Sequence, residues 1–238
     1  MKETDAELHE ILMKVSTATL TTAMFKRGFK NIYIQNIHRM NPGPNMVGYA
    51  YTLRYIPARE DLDGLETFAD PQNPQRKGVE ECPEGAVFVI DSRGDASAAS
   101  AGGILATRLS VLGCAGIVTD GGFRDAPEIS RMSMPAYHKQ PSAPTNLTKH
   151  HAIGINEPIA CGGVSVFPGD ILVGDNEGVV VLPKHIAHEV ANEAIEMTAF
   201  EDFVLERVQA GASTFGLYPP TDPATKDLYS AWREKNNR

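Results

Sequence analysis

Residues 102–128 read GGILATRLSVLGCAGIVTDGGFRDAPE, and this segment constrains the chain more than any other. Gly102 and Gly103 allow a tight backbone turn. After them Ile104, Leu105, Leu109 and Leu112 recur at helical spacing, which predicts a helix whose free N–H groups point at whatever occupies the turn. That end of a helix favours an anion. Ile117 and Val118 then predict a short apolar strand running into Asp120-Gly121-Gly122, with Arg124 and Asp125 side by side at its carboxyl end, where open α/β folds gather ligands. An arginine can fork onto a carboxylate, and an aspartate can hold a hard divalent cation. A charged pair placed there costs stability unless it is used; the competing reading is a purely structural salt bridge.

The flanking pattern predicts α/β organisation. Two amphipathic helices open the chain, Asp5 to Val15 with Thr4 as N-cap, and Thr19 to Lys26 stopped by Gly28. Val47 to Ile56 alternates as a strand, and Ala86 to Asp91 (AVFVID) reads as a more deeply buried one. Between them the polar stretch 57–83 is too long for an ordinary connection, so it is a lid over the site or a short surface helix. Pro135 to Lys139 reads as a strand and 141–148 as loop. Ile159 to Phe167, Ile171 to Val173 and Gly178 to Leu182 follow as closely spaced β segments separated by Pro168-Gly169-Asp170 and 174–178 turns. A long helix runs from about Lys184 to Val208 and is capped by Gly211. The organisation expected is one domain over 1–211 and a Pro-rich tail, 212–238, packing on it or on a neighbouring subunit.

Composition narrows the function. A chain of 238 residues, 42% hydrophobic and 22% charged, has enough interior for one domain and a site. The net charge of −8 comes without a compensating Lys/Arg cluster, which argues against binding nucleic acid through phosphate neutralisation. Cys82, Cys114 and Cys161 are odd in number and lack C-x-x-C spacing, so they read as reduced interior residues. No stretch approaches the length of a membrane span, and the expectation is a soluble, unprocessed, cytoplasmic protein.

Other motifs carry less. A G-x-G-x-x-G fingerprint and a Walker A lysine are both missing, so the glycines at 102 and 103 are not a nucleotide loop. His185 and His188 sit one helical turn apart and could ligate metal, but lack a Glu-x-x-His partner set and read better as a surface pair. His150-His151 reads as a structural loop pair. Asp170, Asp175 and Glu177 read as turn acids bonded to their own backbone.

Gly103, twenty residues, Arg124-Asp125, two residues and Glu128 form the spacing G-x20-R-D-x2-E. PGDILVGDNEGVVVLP at 168–183 and LTTAMFKRG near the start accompany it. In these features the chain resembles the RraA-like family, in the branch containing class II pyruvate aldolases that act on 4-hydroxy-4-methyl-2-oxoglutarate and 4-carboxy-4-hydroxy-2-oxoadipate. The likeness extends over about residues 15–211. The better-known branch has Asp where this chain has Gly103, and Glu128 stands in for it; the family's usual Asp in the early helix is Thr22 here.

The resemblance implies an α/β/β/α sandwich of the swivelling type, assembled as a homotrimer or homohexamer with active sites between subunits, and it implies Mg²⁺ or Mn²⁺. It makes Asp125 a metal ligand, Glu128 a second acid, and Arg124 the clamp on a 2-oxo acid. The N–H groups around Gly102, Gly103, Ile104 and Leu105 would receive the substrate carboxylate. Glu201, on the last long helix of an adjacent subunit, would help orient water. The activity implied is aldol cleavage of a 4-hydroxy-2-oxo acid to pyruvate and a second carbonyl product, with oxaloacetate decarboxylation alongside. The alternative within the family is a non-catalytic regulator of ribonuclease or helicase assemblies. A methyltransferase reading lacks the nucleotide loop it would need.

Overall fold

A computed structural model describes residues 6–238; Thr4 and Asp5, expected to start the first helix, lie outside that range. In chain order the elements are α1 (Ala6–Leu12), α2 (Thr17–Lys26), β1 (His38–Arg39), β2 (Met46–Pro57), α3 (Pro74–Glu81), β3 (Ala86–Asp91), β4 (Ala99–Ala101), α4 (Gly103–Val111), β5 (Gly116–Thr119), β6 (Gly122–Phe123) and α5 (Ala126–Ile129). They continue as β7 (Ala136–His138), β8 (Gln140–Pro141), β9 (His150–Ile155), β10 (Ile159–Cys161), β11 (Val164–Val166), β12 (Ile171–Gly174), β13 (Val179–Leu182), α6 (Ala187–Gln209) and α7 (Pro223–Asn236).

The main sheet has the order β1-β7-β5-β3-β2-β12-β13, with β9 also paired to β2. Its centre, β2, β3, β5 and β7, is parallel; β12, β13, β9 and β1 join antiparallel. Parallel strands covered on both faces are apolar throughout, and all six residues of β3 are buried. Side-chain alternation divides them. Phe88 and Ile90 face the helices α3 and α4, whereas Val87 and Val89 face inward with Val118, Leu172 and Val181.

The long strand β2 shapes the sheet. Its first residues pair with β12 and its last with β9, with a register irregularity at Arg54/Tyr55. Such irregularities bend a strand and raise its twist. The concave face so produced holds an interior shared with the β10–β11 hairpin. On the outside α1, α2 and α6 bury Leu12, Leu20, Met24 and Val190 against β12 and β13, while α3 and α4 cover the parallel centre. Helices therefore flank strand layers in the α/β/β/α order, within a single domain.

Several sequence expectations need correction. His150 is not in a loop: it lies on β9, fully buried and stacked on Tyr55 with ring centroids 5.1 Å apart. Pairing with β2 overrides the weak local strand signal of His-His-Ala. The 159–167 segment is a hairpin, β10–β11, turned at Gly162-Gly163, both at positive φ. The tail carries a helix, α7, with Asp222 accepting from the Ala224 N–H and Pro223 in the first turn. Its Tyr229 and Trp232 pack on Phe200 and Phe203 of α6. Among the described residues no helix is long and apolar enough to cross a membrane.

Candidate active site

The site assembles where β4 and β6 end. Ala101 is followed by Gly102, the N-cap of α4, and Phe123 by Arg124 and Asp125. β4 and β6 pair in parallel, and the Arg124 N–H donates to the Ala101 carbonyl, so the two chain turns lie against each other. Gly102 is required by this approach. A Cβ there would stand 2.8 Å from Arg124 Cγ and 2.9 Å from Asp125 Oδ2, closer than real Cβ contacts come.

Asp125 occupies the left-handed region at φ 56°, ψ 36° and begins α5. That conformation is unfavourable for most L-residues and tolerable for Asp, and such residues concentrate at functional sites. Its side chain turns back over α4, where Oδ2 accepts from the Gly103 N–H at 3.0 Å. The sequence reading left that N–H free for an anion; in this structure Asp125 takes it. The N–H groups of Ile104 and Leu105, which have no intrahelical carbonyl to reach, remain at the helix start. Arg124 Nε lies 3.8 Å from Asp125 Oδ1, a loose pair in which both side chains keep more than 40% of their surface. A structural salt bridge would be closer and better covered. Glu128 follows on α5, exposed, 3.8 Å from Arg131. Its Cβ and that of Asp125 both border Gly103, at 3.7 and 3.2 Å from where a Cβ would stand.

The apolar stripe expected on α4 is only partly buried. Ala106 and Leu109 face the core, whereas Ile104 is 82% exposed, at the mouth of the cleft. The cleft itself, about 260 Å³, is lined by Gly102, Ile104, Leu105, Arg124 and Asp125 and also by Phe68, Gln75 and Arg76. These last three come from the 57–83 stretch, so this segment is both helical and a wall of the cleft. The individual residues were not singled out from sequence. The signal was present in Asn73-Pro74, an N-cap followed by a proline in the first helical turn, which sets α3 and directs Gln75 and Arg76. Thr145 and Asn146, read as loop, also line the cleft.

Beneath the cleft lies a buried polar layer. Ser92, Ser100 and Thr119 hydroxyls lie within 2.6–3.1 Å of one another, and Thr119 also accepts from the Gly121 N–H. Tyr55 Oη and Gln75 Nε2 both donate to the Ser100 carbonyl, at 2.8 and 2.7 Å. Burial raises the Tyr55 pKa, so it stays a donor. Asp120 accepts from the N–H groups of Ser92, Gly94 and Gly162, and burial, the larger influence, still raises its pKa.

Glu201 lies elsewhere in the subunit, on α6, where it accepts from Thr19 Oγ1 at 2.9 Å and Tyr218 Oη at 3.4 Å. Thr22, also distant from the cleft lining, donates to the Ala18 carbonyl. Asp170 bonds its own turn as read, accepting from the Phe167 N–H, whereas Asp175 accepts from the Glu177 N–H and also reaches across to the N–H and Oγ1 of Thr17 on α2. Among the described residues no group of three or more His, Cys, Asp or Glu side chains converges as a metal cluster.

The aldolase/RraA family profile matches residues 17–181, which contain every residue lining the cleft, while Glu201 and Tyr218 lie beyond it. The chain belongs to the aldolase/RraA family. It is 37% identical over 127 residues to a Halalkalibacterium halodurans protein provisionally named 4-hydroxy-4-methyl-2-oxoglutarate aldolase, a match covering 53% of this chain and 60% of that protein. It is 31% identical over 109 residues to the 4-hydroxy-4-methyl-2-oxoglutarate aldolase of Thermus thermophilus, covering 46% of this chain and 66% of that one. Both matches thus span less than two thirds of the relative. Among solved structures, Streptomyces coelicolor RraAS2, described as an unusual member of the RNase ES inhibitor RraA family, superposes with a TM-score of 0.74 at 29% identity over 85% of this chain and 98% of that one.

Proposed function

We propose that this family member is a divalent-metal-dependent lyase that cleaves a 4-hydroxy-2-oxo acid to pyruvate and a second carbonyl compound, with oxaloacetate decarboxylation as a side activity. The observation that carries this reading is the loosely paired, half-exposed Arg124–Asp125 at the strand ends over Gly102-Gly103. The donor set suits a hard cation that retains several waters and takes one or two carboxylates, as Mg²⁺ or Mn²⁺ does. Asp125 and Glu128, flanking the open space at Gly103, would hold it. When bound, such a cation supplies Lewis acidity toward the 2-oxo carboxylate.

Arg124 binds the 2-oxo acid at its carboxylate and keto oxygen, where negative charge grows during cleavage. The N–H groups of Ile104 and Leu105 receive the remaining carboxylate oxygen. A water oriented by Glu128, or by Glu201 of an adjacent subunit, accepts the C4 hydroxyl proton. The C3–C4 bond breaks, C4 becomes a carbonyl carbon, and the bonding pair passes through C3–C2 onto the keto oxygen as pyruvate enolate. A water then protonates C3. Loss of carbon dioxide from oxaloacetate reaches the same enolate, hence the side activity. Residues 1–211 form the catalytic domain in this reading, with 212–238 packed upon it, and the assembly is a cytoplasmic homotrimer or homohexamer whose sites lie between subunits.

The likeness to RraAS2 favours a second reading, a regulator that binds a ribonuclease assembly. A screen of 4-hydroxy-2-oxo acids and oxaloacetate for pyruvate release, with and without Mg²⁺, separates the two. Metal-dependent release supports the lyase, and no release from any substrate contradicts it.

A further inference from the structure

The edge of the main sheet places two imidazoles side by side. β1 pairs antiparallel with β7, with His38 opposite His138 and Arg39 opposite Tyr137. Residues directly opposite across an antiparallel pair point to the same face, with Cβ atoms about 4.5–5.5 Å apart. The neighbouring pair shows the alternation: the Arg39 guanidinium carbon lies over the Tyr137 ring, 5.8 Å from its centre. His38 and His138 share the opposite face, where His138 also stacks against Phe123. The Arg39 charge is thereby kept on the far side of the sheet.

Neither ring is spent on the fold's own hydrogen bonds. His138 is 8% exposed and its Nδ1 is buried without a partner, although buried polar atoms are nearly always satisfied. Among the described residues no hydrogen bond or ion pair engages His38, which is exposed on its two-residue strand and so able to change rotamer. The histidines of β9 differ: His150 lies against the Ala98 carbonyl and Arg93, and His151 is paired with Asp63. Burial, the larger influence, and then His38 push the His138 pKa down to about 4. At neutral pH the ring is therefore an uncharged imidazole whose lone pair meets no competing proton.

Imidazole nitrogen suits Zn²⁺, whereas Mg²⁺ and Mn²⁺ select oxygen. Two protein donors fall short of a closed structural zinc site, so water completes the shell on the exposed side. We propose that His38 and His138 form a Zn²⁺ site at the sheet edge, distinct from the hard-cation position at Asp125 and Glu128. His138 stacks on Phe123, and Arg124 follows Phe123 in the chain, so the ion lies one ring away from the turn that carries the cleft residues.

Occupancy is read without turnover, so the lyase reading is not needed for the test. Zn²⁺ is titrated by calorimetry into the full chain after exhaustive chelation and dialysis into excess Mg²⁺, which keeps oxygen sites occupied. The wild type is compared with His38→Ala, His138→Phe and Asp125→Asn, each with a thermal melt. The wild type should bind Zn²⁺ at about one ion per chain. His38→Ala and His138→Phe should each weaken binding by roughly tenfold or more, and Asp125→Asn should leave it unchanged. Zn²⁺ should also raise the melting temperature of the wild type and not that of His38→Ala.

His38 is exposed, and His138→Phe retains a ring against Phe123, so both variants should fold; if the second does not, His38→Ala decides. A wild type that takes up no Zn²⁺ would overturn the proposal. So would His38→Ala binding as tightly as its parent, the result expected if His185 or another histidine held the ion. Loss of binding in Asp125→Asn would place the ion in the cleft and overturn it as well.

Discussion

Two aspartates five residues apart on one turn of chain have opposite surroundings. Asp120 is 4% exposed and accepts three backbone N–H groups, from Ser92, Gly94 and Gly162. Asp125 keeps 43% of its side-chain surface, accepts one N–H, and stands beside an arginine too distant for a hydrogen bond. The first carboxylate accepts from two segments, the loop after β3 and the β10–β11 turn, which it pins together. The second retains lone pairs that the described residues do not use, as the proposed cation site requires. An acid at a strand end is therefore read by how many of its partners the fold itself supplies: saturation marks a strut, and incomplete satisfaction marks a site.

The comparison can be broken at several points. The largest effect on the fold is expected at Asp120→Ala, which strands one buried and two part-buried donors and should cost about 3 kcal/mol or more of unfolding free energy in denaturant titration. Retained stability would remove its role as a strut.

Arg124→Lys should keep the fold and lower kcat/KM by roughly 10- to 100-fold, because a lysine cannot fork onto carboxylate and keto oxygen together. Near-native kinetics would make the arginine structural.

Glu128→Ala should weaken metal affinity by roughly tenfold, and adding Gly103→Asp should recover part of it by delivering an oxygen from the other side of the same space. The new Cβ would stand 3.2 Å from Asp125 Cβ, so the recovery includes a shift of a few tenths of an ångström. A metal titration in which Glu128→Ala changes nothing would make it a surface residue.

The smallest effect concerns pH. His138, 8% exposed and stacked on Phe123, has its pKa pushed down to about 4, chiefly by burial and then by His38. The folded state holds it neutral while the unfolded chain takes up a proton below about 6.5. Stability is therefore lost as pH falls from about 6.5 toward 4. His138→Phe should flatten that part of the unfolding profile, and an unchanged slope would assign it to other groups.

How much was legible in the sequence follows from the same physics. AVFVID states its buried strand outright, because every residue of β3 faces a core. The G-x20-R-D-x2-E spacing brings Gly103, Arg124, Asp125 and Glu128 to one turn, since the intervening twenty residues are a complete helix and strand. By contrast β4 and β6 are two or three residues long, made of Ala-Ser-Ala and Gly-Phe, and exist only because neighbouring backbone pairs with them. β9 begins with His-His and owes its extension to β2.

Arg76 was hidden for another reason. Nothing in α3 periodicity distinguishes a helix residue facing a cleft from one facing water, and its direction is set by Gln75 reaching Ser100, a contact between distant parts of the chain. The tail helix, in turn, had a readable start in Asp222-Pro223, outweighed by the prolines before it.

The most direct measurement of the central claim is pyruvate release by Asp125→Asn beside the wild type, with Mg²⁺ and after exhaustive chelation, together with their thermal melts. Asparagine tolerates the left-handed backbone at this position and can still accept from the Gly103 N–H, so the fold should hold. The account predicts an unchanged melting temperature within about 2 °C, a loss of about 10³-fold or more in kcat/KM, and a wild type silenced by the chelator. Wild-type turnover that survives chelation, or an Asp125→Asn variant that cleaves as fast as its parent, would contradict it.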